Sequence, residues 1–207
     1  MDPLTMPDPV QFAIAVMGGY LLGSIPFGLV FTRLAGLGDI RKIGSHSIGA
    51  TNVLRTGRKD LALATLLSDS FKAGIAVLLF AHLFGRNAGL VAGAAAFLGH
   101  CYPVWLGFKG GKGVATYAGL LAFASWPALL VGGPVWLCLF AITRISSLSA
   151  LTAAICVPIG AYFLGETNFA LTILSLLSVL VFWTHRANIS RLLKGTEPRF
   201  GAPKEPS

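Results

Sequence analysis

Long apolar runs constrain the fold of this chain more than any other feature of its sequence. Five of them cover about residues 10–34, 61–84, 88–108, 148–164 and 169–185. A helix needs roughly 20 apolar residues to cross a bilayer. Only 12% of the residues are charged, whereas a soluble domain has about 25%. The sequence therefore predicts an all-α integral membrane protein, and no cleavable signal peptide precedes the first run.

A further apolar stretch, residues 114–143, is interrupted by Pro127, Gly132, Gly133 and Pro134. At about 1.5 Å per residue, this stretch cannot cross a 30 Å core twice as two straight full-length helices. Two short helices bent at those residues would fit, as would a re-entrant pair. We therefore predict seven helices, two of them short or re-entrant, in a single transmembrane domain over residues 1–207.

Lys and Arg residues are concentrated on one side of the predicted helices. Of the 16 in the chain, Arg86 falls on the other side and Lys72 lies within a span. The others lie in two loops, at Arg144 and in a basic tail from about residue 186. Because cytoplasmic loops carry the excess of Lys and Arg, we predict an external N-terminus and a cytoplasmic C-terminus. The positive-inside bias accounts for the net charge of +8, and such charge also attracts anionic membrane lipid headgroups. No nucleic-acid partner is therefore predicted.

The three cysteines lie in or beside apolar runs, at positions 101, 138 and 156. They are far apart and have no partner at metal-ligand spacing, so they are interpreted as free thiols that pack with apolar neighbours. The sequence predicts no metal site and no cofactor.

The first polar segment suited to binding or catalysis is residues 44–55. Its small residues let the backbone fold tightly around an anion. Ser45, Thr51 and Asn52 add neutral donors, and Arg55 is suited to grip a phosphate with two parallel hydrogen bonds. The alternative is an ordinary polar loop with a helix cap at Thr51 or Asn52.

The second segment, residues 109–116, begins a predicted helix, where free N–H groups and the helix dipole favour an anion. Its residues of interest are Gly110, Gly111, Lys112, Gly113 and Thr116. A nucleotide P-loop is excluded, because Leu106 stands where its first Gly belongs and Gly113 stands where Ser or Thr must follow the Lys. A phosphate site without a nucleotide fits, and a flexible basic turn is the alternative.

The third segment, residues 185–197, leaves the last span at the cytoplasmic interface. His185 and Asn188 are three residues apart, so a continuing helix would place them on one face. The alternative is an amphipathic interfacial helix with snorkelling cations.

Within the second span, Asp69 and Lys72 are also three residues apart. We predict that they form a structural pair, and a functional proton relay is the alternative.

Several motifs occur in the order found in one known family. They cover residues 23–28, 39–41, 44–45, 48–55, 99–100, 110–116 and 185–197. Together they resemble the bacterial acyl-phosphate-dependent glycerol-3-phosphate acyltransferase family over nearly the whole chain. The resemblance implies a seven-helix protein of the bacterial inner membrane with a cytoplasm-facing site. The implied reaction transfers an acyl group from acyl phosphate to the 1-position of sn-glycerol 3-phosphate, giving lysophosphatidic acid and phosphate in phospholipid biosynthesis.

The resemblance also implies roles for individual residues and a direct transfer without an acyl-enzyme. The expected catalytic residues are Ser45, Arg55, Lys112, His185 and Asn188. The expected substrate-binding residues are Thr51, Asn52, Gly110, Gly111, Gly113 and Thr116. The hydroxyl proton would go to His185 or to the departing phosphate, and the acyl chain would lie near small residues at 93–96. A soluble enzyme that makes acyl phosphate is the implied partner.

The chain departs from that family at His46 and Ser47, where the family usually has Gly and Asn. We expect this change to alter the loop, because a residue free to take positive φ is lost. A transporter for a small phosphorylated or anionic solute is the rival interpretation. It would use the same basic loops and place Asp69 and Lys72 on its path, but no inverted repeat is evident. A structural membrane protein would leave both phosphate-like loops unexplained.

Overall fold

The computed structural model describes residues 7–201, and within that range the chain is helical, with no strand. The α-helices are α1 (Pro9–Gly23), α2 (Phe27–Leu34), α3 (Ala50–Leu54), α4 (Lys59–Phe84), α5 (Arg86–Cys101), α6 (Val114–Ala124), α7 (Trp126–Thr143), α8 (Ser146–Phe163), α9 (Asn168–Thr184) and α10 (Arg186–Leu193). Two short 3₁₀ helices, Ile40–Lys42 and Val104–Leu106, lie in loops. Lys204 of the predicted basic tail and the first six residues lie outside the described range.

Five helical segments are long and apolar enough to cross a membrane. They are Pro9–Leu34, Lys59–Phe84, Arg86–Leu106, Trp126–Thr143 and Ser146–Phe163. A sixth results if α9 and α10, which are bent by 61° at His185, are counted together. The all-helical membrane architecture predicted from the sequence is therefore confirmed, whereas the seven-helix count and the orientation of the termini stay predictions.

The stretch from 114 to 143 differs from the expectation. The chain breaks at Ser125, just before Pro127, and Gly132, Gly133 and Pro134 all lie inside α7. Proline is tolerated in the first turn of a helix, where its missing N–H has no intrahelical partner, and so Pro127 lies in the first turn of α7. Consequently α6 is short, with 11 residues, but α7 reaches 18. The prediction of two short helices was wrong for α7.

The first span is broken between α1 and α2 at residues 24–26. Pro26 has no N–H to donate, and the break frees two main-chain carbonyls inside the protein. Trp105 Nε1 donates to the Ser24 carbonyl at 2.8 Å, and Lys72 Nζ donates to the Ile25 carbonyl at 3.0 Å. The break is therefore held by side chains from the second and third spans.

Helix α5 is the centre of the bundle. The span that contains it is 67% buried, whereas α7 is 11% buried and lies at the periphery. A Cβ atom at Gly19 or Gly23 of α1 would collide with the α5 backbone at Ala92 or Ala96. The small residues at 93–96 therefore serve close helix packing, which corrects the expectation that they leave room for an acyl chain.

The end of the bundle at Arg86 is closed by an ion pair. Arg86 Nη2 lies 2.5 Å from Glu166 Oε2, and the Ser125 hydroxyl donates to the other carboxylate oxygen of Glu166. These contacts tie the start of α5 to the α6–α7 break and the α8–α9 turn. The three polar segments meet at the other end of the bundle.

Candidate active site

A pocket of about 300 Å³ lies where the three polar segments meet. The segments supply Ser45, His46 and Ser47, then Lys109, Gly110, Gly111 and Lys112, then Arg186, Ala187, Asn188 and Arg191. Cys101, Tyr102, Phe108 and Thr184 complete the lining. The structure thus brings together five of the predicted site residues, Ser45, Gly110, Gly111, Lys112 and Asn188.

Asn52 organises the first segment from inside. Its side chain is 1% exposed, and its Nδ2 lies 2.9 Å from the Ile40 carbonyl and 2.8 Å from the Ser47 carbonyl. Its Oδ1 accepts the Ser45 N–H at 3.0 Å. Asn52 therefore shapes the loop that presents Ser45. The helix-cap alternative was wrong, because Gly49 occupies the N-cap of α3 and Thr51 is exposed in its first turn.

Position 46 takes a positive φ of 55° although it is His and not Gly. His46 Nδ1 lies 2.8 Å from the Arg41 carbonyl, which holds the ring against the loop. Arg41 itself makes a paired contact with Asp39, at 2.9 Å from Nε and 2.6 Å from Nη2. The Arg41 guanidinium holds the pKa of Asp39 well below its usual range. The loop thus holds a histidine in a backbone conformation that favours glycine.

The glycines of the second segment are used for close packing against α5. The Gly110 N–H donates to the Cys101 carbonyl at 3.1 Å, and the Gly111 N–H donates to the His100 carbonyl at 3.0 Å. Gly113 has φ +83°, and a Cβ there would collide with the Phe97 ring. The amides of Gly110 and Gly111 are therefore already engaged within the protein, and the positive charge of this loop comes from Lys109 and Lys112.

Lys112 stands at the centre of the positive charge. Burial lowers the pKa of Lys112 to about 8, a net value in which Glu197 opposes the shift and Arg191 and Arg55 add to it. Arg55 does not line the pocket, but its side chain lies against Gly44, where a Cβ would be 2.6 Å from Arg55 Cδ. Lys112 and Arg55 are close enough to interact electrostatically. Thr116, fully buried in α6, has a hydroxyl with no hydrogen-bond partner within the described range.

The third segment bends at His185, so the expected continuous helix through His185 and Asn188 was wrong. His185 Nδ1 lies 2.8 Å from the Val181 carbonyl. Since a carbonyl only accepts, Nδ1 carries the proton and Nε2 is the acceptor. The His185 side chain is buried, at 3% exposed, and this proton is held inside the protein.

A carboxylate that the sequence interpretation did not assign to the site anchors this segment. Glu197 accepts hydrogen bonds from Ser147 at 2.7 Å, Asn188 at 2.5 Å and Arg191 at 2.7 Å. Burial alone would raise the pKa of Glu197, but these three donors outweigh it and lower the pKa. The available signal was an acid in a basic tail that holds only one other, Glu205. Beyond it, the Phe200 N–H donates to the Arg144 carbonyl at 2.7 Å, so the tail returns to the α7–α8 turn.

The predicted Asp69–Lys72 pair is confirmed, with Lys72 Nζ 2.8 Å from Asp69 Oδ1. His100 completes the cluster, because its Nδ1 lies 2.9 Å from the same Nζ. All three side chains are at most 3% exposed, and they do not line the pocket. Within residues 7–201, no group of His, Cys, Asp or Glu is placed to hold a metal ion.

A second pocket of about 410 Å³ adjoins the first. Its lining is Asp39, Arg41, Lys42, His46, Lys109 and Gly110. His46, Lys109 and Gly110 line both pockets. The positive charge of the site therefore continues from the inner pocket to the open surface.

The chain is similar to known proteins over nearly its whole length. Residues 13–195 match the family described as Glycerol-3-phosphate acyltransferase. The Glycerol-3-phosphate acyltransferase of Hyphomonas neptunium is 70% identical over 97% of this chain and 98% of that protein. That of Brucella ovis is 57% identical over 95% and 99%. A crystal structure of PlsY (YgiH), an integral membrane glycerol 3-phosphate acyltransferase in its glycerol 3-phosphate form, gives a TM-score of 0.87 at 39% identity, covering 92% of this chain and 96% of that one.

Proposed function

Because the chain belongs to the glycerol-3-phosphate acyltransferase family, we propose that it transfers an acyl group from acyl phosphate to the 1-hydroxyl of sn-glycerol 3-phosphate. The products are lysophosphatidic acid and phosphate. The observation that carries this proposal is the pocket in which the three polar segments meet. Its described lining includes four cations, Lys109, Lys112, Arg186 and Arg191, and no carboxylate.

The charge of this pocket suits a reaction between two anions. Acyl phosphate and glycerol 3-phosphate repel each other, and both must lie within reach of one reacting carbonyl carbon. We assign Lys112 and Arg55 to the two phosphates, with Ser45 and Asn188 as neutral hydrogen-bonding groups. Holding both substrates in a fixed orientation lowers the entropic barrier, and aimed donors stabilise the oxyanion as it develops.

The chemical step needs no acyl-enzyme, because acyl phosphate is already activated. The glycerol oxygen bonds to the carbonyl carbon, and the carbon–oxygen bond to phosphate breaks, with its electron pair leaving on phosphate. The hydroxyl proton goes to that departing phosphate. His185 is the less suitable acceptor, since it is buried and does not line the pocket.

Within residues 7–201, no base is hydrogen-bonded to the Ser45 hydroxyl. Its sequence neighbour His46 directs Nδ1 to the Arg41 carbonyl, and a serine nucleophile needs an adjacent base. We therefore assign Ser45 to substrate binding. Rapid quench with radiolabelled acyl phosphate, without glycerol 3-phosphate, tests this assignment. Label that remains on Ser45 after denaturation would contradict direct transfer.

The acyl chain leaves the polar pocket on its apolar side. Tyr102 and Phe108 line that side, and Phe108 is 59% exposed. Trp105, 54% exposed, lies in the same segment, and exposed aromatic side chains are typical of the membrane interface. An acyl chain that follows these residues reaches the bilayer without crossing the charged lining.

The choice of donor is tested by direct competition among substrates. Purified protein receives glycerol 3-phosphate with acyl phosphate, acyl-CoA or an acyl carrier protein thioester in separate reactions, and lysophosphatidic acid is measured. We expect turnover with acyl phosphate alone. Equal or faster turnover with either thioester would overturn the proposed donor. Regiochemistry is read from the same product by its 1-acyl or 2-acyl identity.

We place the protein in the bacterial plasma membrane, with the pocket facing the cytoplasm and the N-terminus outside. The pocket lies at the end of the bundle where Lys and Arg are abundant, as the positive-inside rule requires of the cytoplasmic side. A soluble enzyme that makes acyl phosphate would then have direct access. A transporter is less well supported, because Asp69 and Lys72 bond to each other in the core and do not line the pocket.

A further inference from the structure

The buried cluster of Asp69, Lys72 and His100 lies beneath the glycine loop, which comprises residues 109–113. It takes no part in the chemistry proposed above. We propose that the cluster positions this loop: Lys72 fixes the His100 ring, and His100 in turn supports Gly110 and Gly111 so that Lys112 meets the substrate phosphate. These are positioning residues, since they lie outside the pocket lining.

Lys72 is fixed from three directions. Its Nζ lies 2.8 Å from Asp69 Oδ1, 3.0 Å from the Ile25 carbonyl and 2.9 Å from His100 Nδ1. An ammonium group has three donors and no acceptor, so these contacts account for every proton on Nζ. The three partners belong to α4, to the break between α1 and α2, and to α5. Lys72 thus holds His100 in a fixed relation to three elements of the bundle.

The contact with Lys72 also determines which His100 nitrogen carries the proton. His100 Nδ1 lies 2.9 Å from Lys72 Nζ and 3.5 Å from Asp69 Oδ1. Because an ammonium group only donates, the shorter contact makes Nδ1 the acceptor and places the ring proton on Nε2. That edge of the ring faces the glycine loop, since a Cβ added to Gly111 would overlap Nε2. The ring therefore presents an N–H edge directly beneath Gly111.

The main chain reinforces this contact. The Gly111 N–H donates to the His100 carbonyl at 3.0 Å, and the Gly110 N–H donates to the Cys101 carbonyl at 3.1 Å. On the far side, Thr184 Oγ1 donates to the Lys112 carbonyl at 3.1 Å. The loop is thus held between α5 and α9, and a shift of His100 would move Lys112. A misplacement of about 1 Å in a reacting group is enough to cost roughly 100-fold in rate.

The cluster is not explained by stability alone. A buried ion pair is often replaced by apolar residues of similar size without loss of stability. The double variant Asp69→Leu/Lys72→Met therefore separates the two roles, because it removes both charges together and takes from the Ile25 carbonyl and His100 Nδ1 the ammonium that holds them. If the cluster only stabilises the fold, this folded variant binds phosphate normally. If it positions the loop, binding weakens although the fold persists.

The inference rests on the proposed acyl transfer, so two readouts are needed. We expect Asp69→Leu/Lys72→Met to raise the KM for glycerol 3-phosphate at least 10-fold, with a smaller change in kcat. The Kd for inorganic phosphate, measured by calorimetry without turnover, should rise by a similar factor. Values within twofold of the wild type would overturn the inference. Absence of wild-type turnover with acyl phosphate would count against the proposed function, while the phosphate Kd would still decide the positioning role.

The control is Arg86→Met/Glu166→Leu, which removes the ion pair at the opposite end of the bundle. It should leave the KM and the phosphate Kd unchanged whatever its effect on Tm. An equal rise of KM in this control would show a general effect of removing buried charge and would overturn the inference.

A double-mutant cycle decides the question if the apolar variant does not fold. Gly111→Ala should lower kcat/KM at least 30-fold in the wild type, because its Cβ meets His100 Nε2. In His100→Asn, whose shorter side chain keeps an acceptor for Lys72 and vacates that space, the same change should cost less than threefold. Independent, additive losses would overturn the contact as the route of positioning.

Discussion

Asn188 Nδ2 donates to Glu197 Oε1 at 2.5 Å, and this contact orients the Asn188 amide. The amide oxygen is then buried, with no hydrogen-bond partner in the described part of the chain. A buried acceptor without a partner costs about 1 to 3 kcal/mol. Glu197 thus fixes the orientation of Asn188, whose side chain lines the pocket.

Glu197→Gln should loosen this arrangement. The neutral amide accepts hydrogen bonds less strongly and brings N–H groups toward three donors. We expect a loss of about 1.5 to 3 kcal/mol, as for one hydrogen bond to a charged group. Thermal unfolding in detergent measures it. Because the pKa of Glu197 is lowered in the folded protein, its stabilisation is present at neutral pH and is lost as the pH falls through that pKa. The variant should lack this acid-side dependence, and an unchanged profile would contradict the assignment.

Asn52→Asp should disrupt the first segment. A carboxylate would face the Ile40, Ile43 and Ser47 carbonyls that now receive the amide protons. Loss of these bonds at a buried site should cost at least about 2 kcal/mol, and kcat/KM should fall at least 10-fold. Asn168→Asp, at an exposed position in the first turn of α9, makes the same chemical change as a control. Equal losses of stability and kcat/KM in the two variants would refute the role of Asn52 in holding this loop.

His46 offers a test of backbone strain. Its φ of 55° lies in the left-handed region, which costs an L-residue about 1 to 2 kcal/mol and glycine almost nothing. His46→Gly relieves this strain but loses the bond to Arg41, so the changes should nearly cancel. His46→Val keeps the strain, adds a β-branch and loses the bond. We expect Val to be less stable than Gly by about 1 to 2 kcal/mol, measured by thermal unfolding. Equal melting temperatures would argue against the left-handed conformation.

Membrane topology is accessible to thiol labelling. Cys101, Cys138 and Cys156 are replaced, retained activity is verified, and single cysteines are introduced at the exposed positions Lys59, Lys194 and Asn168. A membrane-impermeant reagent outside intact cells should label only Asn168→Cys. Labelling of Lys59→Cys from outside would contradict both the orientation and the cytoplasmic pocket.

Sequence patterns predicted the spans well because hydropathy depends on composition over long windows. The predicted bounds of 61–84 and 148–164 lie within two residues of α4 and α8. Local geometry was less accessible. The break at Pro26 and the bend at His185 depend on carbonyl partners from distant spans, which a single apolar run does not reveal. Gly132 and Pro134 suggested a break in the helix, but α7 continues through both residues, because membrane helices tolerate Gly and Pro.

The candidate site was predicted by residue type more successfully than by role. Lys112 and Asn188 line the pocket, as expected of polar residues near glycines at a basic face. Asn52 was expected to face substrate, yet it points into its own loop, because three carbonyls converge there. Glu197 was not assigned, since its partners Ser147 and Arg191 come together only in the folded tail. The sequence therefore indicated which residue types form the site but not the direction in which each side chain points.

The charge of Lys112 should appear in the pH dependence of catalysis. Burial lowers the pKa of this ammonium to about 8, so the free enzyme loses the positive charge as the pH rises through that value. Because kcat/KM reports ionisations of the free enzyme, it should fall on the alkaline side near pH 8. A bound phosphate would raise the pKa of Lys112, so the alkaline limb of the profile, where the rate falls, should lie at higher pH for kcat than for kcat/KM.

Two variants separate charge from shape at this position. Lys112→Ala removes a hydrogen bond to a charged group, worth about 1.5 to 3 kcal/mol, which corresponds to roughly one to two decades in kcat/KM. Lys112→Arg should retain part of the activity and lose the limb near pH 8, because guanidinium stays charged throughout this range. Initial rates from pH 6 to 10 at subsaturating glycerol 3-phosphate measure both effects. If the limb near pH 8 persists unchanged in Lys112→Arg, it belongs to another group, and Lys112 is not the titrating phosphate ligand.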